Sequence, residues 1–281
     1  MKLCVADIET RYAMVHWIAM TAFLDMTAFP GLAFGRSALG NPFVSQSRFN
    51  GHIMFSNWPR MDVEKLLPPD LELCANTSAT PDVHPVAFIF GDQTQGAMVF
   101  GGFTFSLGVN YQELGMVIPF VRHRHGPYLH TYMARMYCSY AVATWNGNFH
   151  YGFSKEMARL WWQGPVYIVT TENDSLLLHA SVEAGGKWSA GGSCTLPNFA
   201  AMRAVFDLPV VGRKSNGAYV CSYFDWDFGE ALVRPADACL SVDAPLVDGL
   251  TPRECHDVAS GTVEVRGMLW KLSWPAACQF R

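Results

Sequence analysis

The sequence predicts a mainly β protein, a barrel or sandwich of many strands with a few short helices. Two observations carry this. Apolar runs of strand length or strand period recur along most of the chain, the clearest being Phe103, Phe105, Leu107, Val109 and Tyr111 alternating with Thr104, Ser106, Gly108 and Asn110. Turn residues punctuate them, at Gly185-Gly186, Gly191-Gly192, Asn216-Gly217 and Asp248-Gly249, and no heptad or internal repeat is present.

Taken in order, residues 1–47 form an apolar N-terminal extension, rich in Ala, Met and Phe, with no assignable role. The remaining 48–281 form the β domain. Residues 48–58 read as a strand, and 62–67 as one or two helical turns stopped by Pro68-Pro69. Residues 72–84 read as an exposed loop and Val86–Phe90 as a short buried strand. Gly91–Gly96 is expected to turn the chain into the alternating strand, whose apolar face should enter the core. Residues 116–121 and 128–137 follow as strands, then a short helix over Tyr140–Trp145 that ends at Asn146-Gly147. Later strands are expected at Val166–Thr171, Leu176–Glu183, Met202–Leu208, Tyr219–Trp226, Ala238–Val242 and Thr262–Leu272.

With 281 residues, 50% hydrophobic and 16% charged, the chain can bury a full core. A formal charge of -4 argues against a nucleic-acid partner, which wants a basic stripe. Eight scattered cysteines without a CxxC pair read as reduced, mostly buried thiols of an intracellular, cytoplasmic protein. The N-terminus lacks the form of a signal peptide. The apolar run 13–24 is shorter than the ~20 residues that span a bilayer, so no membrane span is expected.

The candidate chemistry centres on Lys155. Phe149, Tyr151 and Phe153 precede it and Met157, Trp161 and Trp162 follow. A free lysine titrates near ~10.4, so little of it is the nucleophilic amine at neutral pH. An apolar pocket disfavours the ammonium and is expected to lower that value, leaving an amine able to hold a ketone as a Schiff base. Of the six lysines, Lys2, Lys65, Lys187 and Lys214 fall in terminal, charged or turn-like segments, which leaves Lys271 as the one rival. Glu113 is the second candidate: an uninterrupted strand places it in line with Tyr111 on the apolar face, where a carboxylate needs a partner. His123, His125 and His130 form a weaker constellation, because Arg122 and Arg124 interleave with them and cations are poor neighbours for a metal. Asp225 and Asp227 share a strand face but fit a solvated edge equally well. His150 and Tyr151 are near Lys155 in sequence and are read first as packing residues. Neither a metal nor a cofactor is expected.

Together these residues resemble the acetoacetate decarboxylase family. Gly147 and Lys155 stand eight apart, as in the family's lysine motif, and Gly152-Phe153-Ser154-Lys155 takes the place of its Gly/Ala-aromatic-Pro-Lys. Gly126-Pro-Tyr-Leu-His130, Tyr111-Gln-Glu113 and Leu196-Pro-Asn-Phe199 are similar to further family segments, so the likeness runs thinly from about 48 to 272. The sequence departs from the pattern at Asn148, Phe149 and Ser154, and Glu156 replaces the family's second lysine. His52 stands where the family has an arginine near the substrate carboxylate. The resemblance implies a closed or conical β-barrel with a few flanking short helices, assembled as a homo-oligomer. It implies Lys155 as the Schiff-base residue, Glu113 beside it, and His52, Phe153 and Tyr111 as substrate-binding groups.

The function expected from this is a cofactor-free lyase that decarboxylates a small-molecule keto acid or a larger polyketide-like ketone of secondary metabolism. Aldol or dehydration chemistry, cyclisation on the same barrel, and a non-catalytic binding barrel are the alternatives. Activation of Lys155 by desolvation requires Glu156 to face away from the amine.

Overall fold

The computed structural model describes residues 40–74, 82–100, 103–193, 199–244, 253–256, 261–278 and 280. Most of the expected N-terminal extension lies outside these residues. Its last part, from Phe43, is strand.

The elements in order are β1 (Phe43–Pro59), α1 (Arg60–Lys65), β2 (Leu71–Leu73), β3 (Val83–Phe100), β4 (Phe103–His123), β5 (His130–Cys138) and α2 (Ala141–Tyr151). Then come β6 (Lys155–Met157), β7 (Arg159–Gln163), β8 (Val166–Thr170), β9 (Leu176–Ala184), β10 (Ser189–Ala190) and α3 (Phe199–Phe206). The remainder is β11 (Val210–Arg213), β12 (Tyr219–Ser222), β13 (Phe224–Asp227), β14 (Leu232–Val242), β15 (Arg253–His256), β16 (Thr262–Ser273) and β17 (Ala276–Ala277). The protein is mainly β, and the 17 strands of the described residues belong to one sheet.

The backbone of that sheet runs β7-β8-β9-β14-β16-β1-β3-β4-β5 in antiparallel pairs. β6 lies parallel to β5. β6 and β7 follow one another along the chain, the first paired with β5 and the second with β8, and no ladder joins them to each other. Continuous pairing therefore does not run all the way round: the expected closed barrel is met in strand content and not in closure.

Both faces of the sheet are covered, and each has its own core. Met54, Phe88, Phe90, Leu114 and Met116 belong to one cluster. Ile53, Ala87, Val117 and Met133 belong to the other, which α2 and α3 complete through Tyr151, Met202 and Phe206. Alternation along each strand sends neighbours to opposite cores, which is why these strands read as nearly continuous apolar runs.

Several expectations are corrected. Gly91–Gly96 does not turn the chain; β3 continues through it with register shifts after Gln93 and at Gly96. Gln95 there adopts a left-handed φ of 55° and donates its N–H to Asn110 Oδ1. The reversal comes instead between Phe100 and Phe103, which face each other across the hairpin. The outer ends of β3 and β4 run past the core, so Phe103 and Phe105 are 69% and 56% exposed instead of buried. Met202–Leu208 is largely helix α3, not strand. α2 runs through Gly147 to Tyr151 and stops at Gly152, whose left-handed φ of 63° ends it. The reading of all cysteines as reduced is also overturned: Cys221 and Cys278 form a disulfide, because β17 pairs with β12 and brings residues 57 apart into contact. Cys74 and Cys138 are free thiols. Among the described residues no helix is long and apolar enough to cross a membrane.

Candidate active site

Lys155 opens β6, directly after the reversal at Gly152. The Gly147 carbonyl accepts the Phe153 N–H at 3.1 Å, which folds the chain back beneath α2. Asn148, in the last turns of α2, then behaves as a substitute strand neighbour. Its amide donates to the Lys155 carbonyl and its Oδ1 accepts the Lys155 N–H, both at 2.8 Å. On the other side Lys155 pairs with Met136 of β5. The backbone of this residue is thus held from two directions.

Gly147 also explains the eight-residue spacing to the lysine. A Cβ at this position would lie 2.6 Å from Lys155 Cδ and 3.1 Å from Cε, so the lysine stem occupies the space that a side chain would fill. Gly147→Ala gains about 1 kcal/mol of helix propensity and loses roughly 1–3 kcal/mol by overpacking. The protein should remain folded within ~2 kcal/mol, by urea unfolding, while modification of Lys155 by an amine-directed reagent slows about tenfold, since a displaced stem misplaces the amine.

Glu113 lies on β4 opposite Gly91 of β3 and Cys138 of β5. Its Oε2 accepts a hydrogen bond from Lys155 Nζ at 2.6 Å, with the two side chains only 14% and 8% exposed. The sequence expectation that Glu113 falls on the lysine's side is met, although the residues thought to bury it, Phe103 and Phe105, do not. Tyr111, in line with Glu113, is partly buried and stacks on Tyr140 at 5.8 Å. Its phenol is pushed well above the usual range by burial and then by the Glu113 carboxylate. Cys138, fully buried, is a member of this group that sequence reasoning missed. Burial raises its thiol, against the nearby Lys155 charge.

The electrostatics of Lys155 differ from the expectation. Burial pushes its amine down, but Glu113 at hydrogen-bond distance outweighs burial, and the amine sits above its ordinary value. Glu156 does face away, paired with Arg135. The rival Lys271 makes a 3.7 Å pair with Asp225, and both side chains are about a third or more exposed.

The remaining candidates are placed elsewhere. Phe153 is buried against Tyr151 and Phe224, ring centroids 5.4 and 6.3 Å away, as a core residue beneath the lysine. His52 is not brought to Lys155. It stands opposite Phe90, which stands opposite Leu114. Cross-strand partners share a face, so Glu113, one residue before Leu114, projects from the other side. His123 stacks on Phe280 at 4.1 Å, and His130 meets the same ring edge-on. Among the described residues no group of three or more His, Cys, Asp or Glu is placed to hold a metal ion. His150 packs among Trp145, Phe149 and Trp274.

In its two-faced, mainly β sheet this chain has the acetoacetate decarboxylase-like fold. It is similar to the enduracididine biosynthesis enzyme MppR, complexed with the condensation product of pyruvate and imidazole 4-carboxaldehyde. That match has a TM-score of 0.55 at 15% identity and covers 86% of this chain and 92% of that one. It is also similar to acetoacetate decarboxylase from Legionella pneumophila, with a TM-score of 0.52 at 15% identity over 89% and 93% of the two chains. A third likeness is to an acetoacetate decarboxylase-like enzyme from Sphingomonas wittichii RW1, with a TM-score of 0.51 at 11% identity, over 88% and 100%. No family model and no curated protein matches the sequence.

Proposed function

We propose that the protein is a cofactor-free Schiff-base enzyme in which Lys155 condenses with a keto acid or a larger ketone, decarboxylation being the first reaction to test. The observation that carries this is the 2.6 Å contact between Lys155 Nζ and Glu113 Oε2, two groups otherwise expensive to bury. Within the pair a proton moves from Nζ to the carboxylate, and both groups become neutral. The free amine attacks the carbonyl carbon. Glu113 returns its proton as the carbonyl oxygen leaves as water, and the product is a protonated imine. With a β-keto acid, the electron pair of the bond to the carboxylate flows into the imine, releasing carbon dioxide and an enamine. A proton taken up at carbon and the addition of water then release the ketone and regenerate the lysine.

The raised Lys155 value favours a second reading, a binding barrel in which the ion pair is only structural, because an ammonium held by Glu113 is not a nucleophile. Borohydride reduction in the presence of a keto acid separates the two: an irreversible mass increase on the Lys155 peptide supports the enzyme, and its absence the binding barrel. Assembly as a homo-oligomer belongs to the same proposal.

A further inference from the structure

A second group of polar side chains lies on the face of the sheet opposite Lys155. His52 of β1 stands opposite Glu264 of β16, and Glu264 stands opposite Arg234 of β14. Cross-strand partners project from the same face, so these three side chains form one row over three adjacent strands. The row borders a cleft of about 390 Å³ that is also lined by Asn50, Trp162 and Arg266.

Two features of this cleft are unexplained by packing. His52 is 8% exposed, and its Nδ1 is buried with no hydrogen-bond partner, while its ring is flanked by Phe90 at 5.5 Å and Trp162 at 5.4 Å. A buried polar atom is ordinarily paired. Burial also lowers the His52 imidazole to about 4, so at neutral pH the ring carries no charge and one of its nitrogens can accept a hydrogen bond.

The second feature is the charge at the other end of the row. Glu264 is shared by two guanidiniums, Arg234 at 2.5 Å and Arg266 at 3.3 Å. Both are also held over the Trp188 ring, each 4.4 Å from its centroid. One carboxylate against two cations leaves a net positive charge there. Arg266, with its side chain 57% exposed, keeps donors turned toward solvent. The other acid of the cleft, Asp92, is on β3, three strands from Arg234, or roughly 14 Å at the usual strand spacing, and accepts a hydrogen bond from Gln112.

We propose that this cleft binds a small organic carboxylate with a planar apolar body: the carboxylate on Arg234 and Arg266, the body against Trp162, and a polar group at its far end on His52 Nδ1. This site is separate from Lys155 and does not rest on the Schiff-base reading. It gives the protein a place to hold an aromatic or unsaturated acid without reacting with it.

The test is calorimetric titration with para-hydroxybenzoate, with benzyl alcohol as the uncharged comparison. Neither carries a ketone, so neither can report on Schiff-base chemistry. Wild type and the Lys155→Met/Glu113→Leu double variant should bind para-hydroxybenzoate alike, and benzyl alcohol should bind at least about tenfold more weakly, the loss of one charge-assisted contact. Arg266→Gln, a change at an exposed side chain that leaves the fold intact, should weaken para-hydroxybenzoate by a similar factor. His52→Phe should weaken para-hydroxybenzoate more than it weakens benzoate. Binding that is indifferent to Arg266→Gln, binding lost only in the Lys155→Met/Glu113→Leu double variant, or no binding at millimolar concentration overturns the proposal.

Discussion

Lys155→Met should destabilise the protein by roughly 3–5 kcal/mol, the usual consequence of removing one partner from a buried ion pair. The Glu113 carboxylate, 14% exposed, would be left without its cation in a site built to hold one. Glu113→Leu should cost a similar amount by stranding the ammonium. The double variant should recover most of both losses, since two apolar side chains of similar size need no compensation. Urea unfolding of the four proteins at neutral pH, read as a double-mutant cycle, measures the coupling. Single variants that lose less than about 1 kcal/mol would identify the pair as one of the weak, screened contacts of a surface. The pH dependence has a defined sign. The Lys155 amine lies above its ordinary value of 10.5 in the folded protein, so its stabilisation is complete below that pH and is lost as pH rises through the folded value. The wild-type protein should therefore lose stability on its alkaline side more steeply than the double variant.

Glu113→Gln should reverse the direction in which the site shifts the lysine. In the wild-type protein burial is the largest influence and acts downward, but the Glu113 carboxylate overcomes it. With an amide in place of the carboxylate, burial is opposed only by Cys138, and the amine should fall below its ordinary value of 10.5. The pH dependence of inactivation by a small amine-directed reagent reads this directly. The catalytic consequence runs the other way. The variant holds more free amine at neutral pH yet has lost the group that accepts and returns the proton. Imine formation should slow, and turnover with it, by about 10²–10⁴, with substrate affinity little changed. A fall in affinity alone would make Glu113 a binding group and not a proton carrier.

The candidate pair was legible in the sequence, but only part of the reasoning behind it survives. Lys155 stands out because every other lysine but one falls in a stretch of sequence that is terminal, charged or turn-like, and its distance from Gly147 has a steric cause in the lysine stem itself. Glu113 was found by counting in twos from Tyr111. That count is right, although Phe103 and Phe105, which were expected to bury it, extend beyond the core. What alternation cannot supply is the register between strands. His52 and Glu113 fall on opposite faces only because His52 pairs with Phe90 and Phe90 with Leu114, a fact of long-range pairing. The same limit hid the bond between Cys221 and Cys278. The misread helix α3 has a local cause: Met202, Val205 and Phe206 are spaced for a helix, but in a segment of eight residues the two periods are hard to separate. Asn148 was visible as a departure from the family pattern. Its clamp on the Lys155 backbone depends on α2 continuing past Gly147, which the glycine argued against.

The desolvation argument was also incomplete in a way that matters for mechanism. Burial of the amine among apolar groups was expected to lower it. The same burial brings the Glu113 carboxylate close in a medium where its pull is strong, and the pull prevails. The resting lysine is therefore protonated, and on the proposed reading its nucleophilic form depends on passing a proton to Glu113 as substrate enters.

Reductive trapping tests the central claim most directly. Wild-type protein is incubated with a panel of keto acids and ketones, treated with borohydride, digested and weighed peptide by peptide. The account predicts a stable adduct on the peptide carrying Lys155 and on no other, with a mass equal to the reduced condensation product. It predicts loss of that adduct in Lys155→Arg and its persistence in Lys271→Arg. An adduct on Lys271, or none on any lysine with a keto acid that binds the protein, would contradict it.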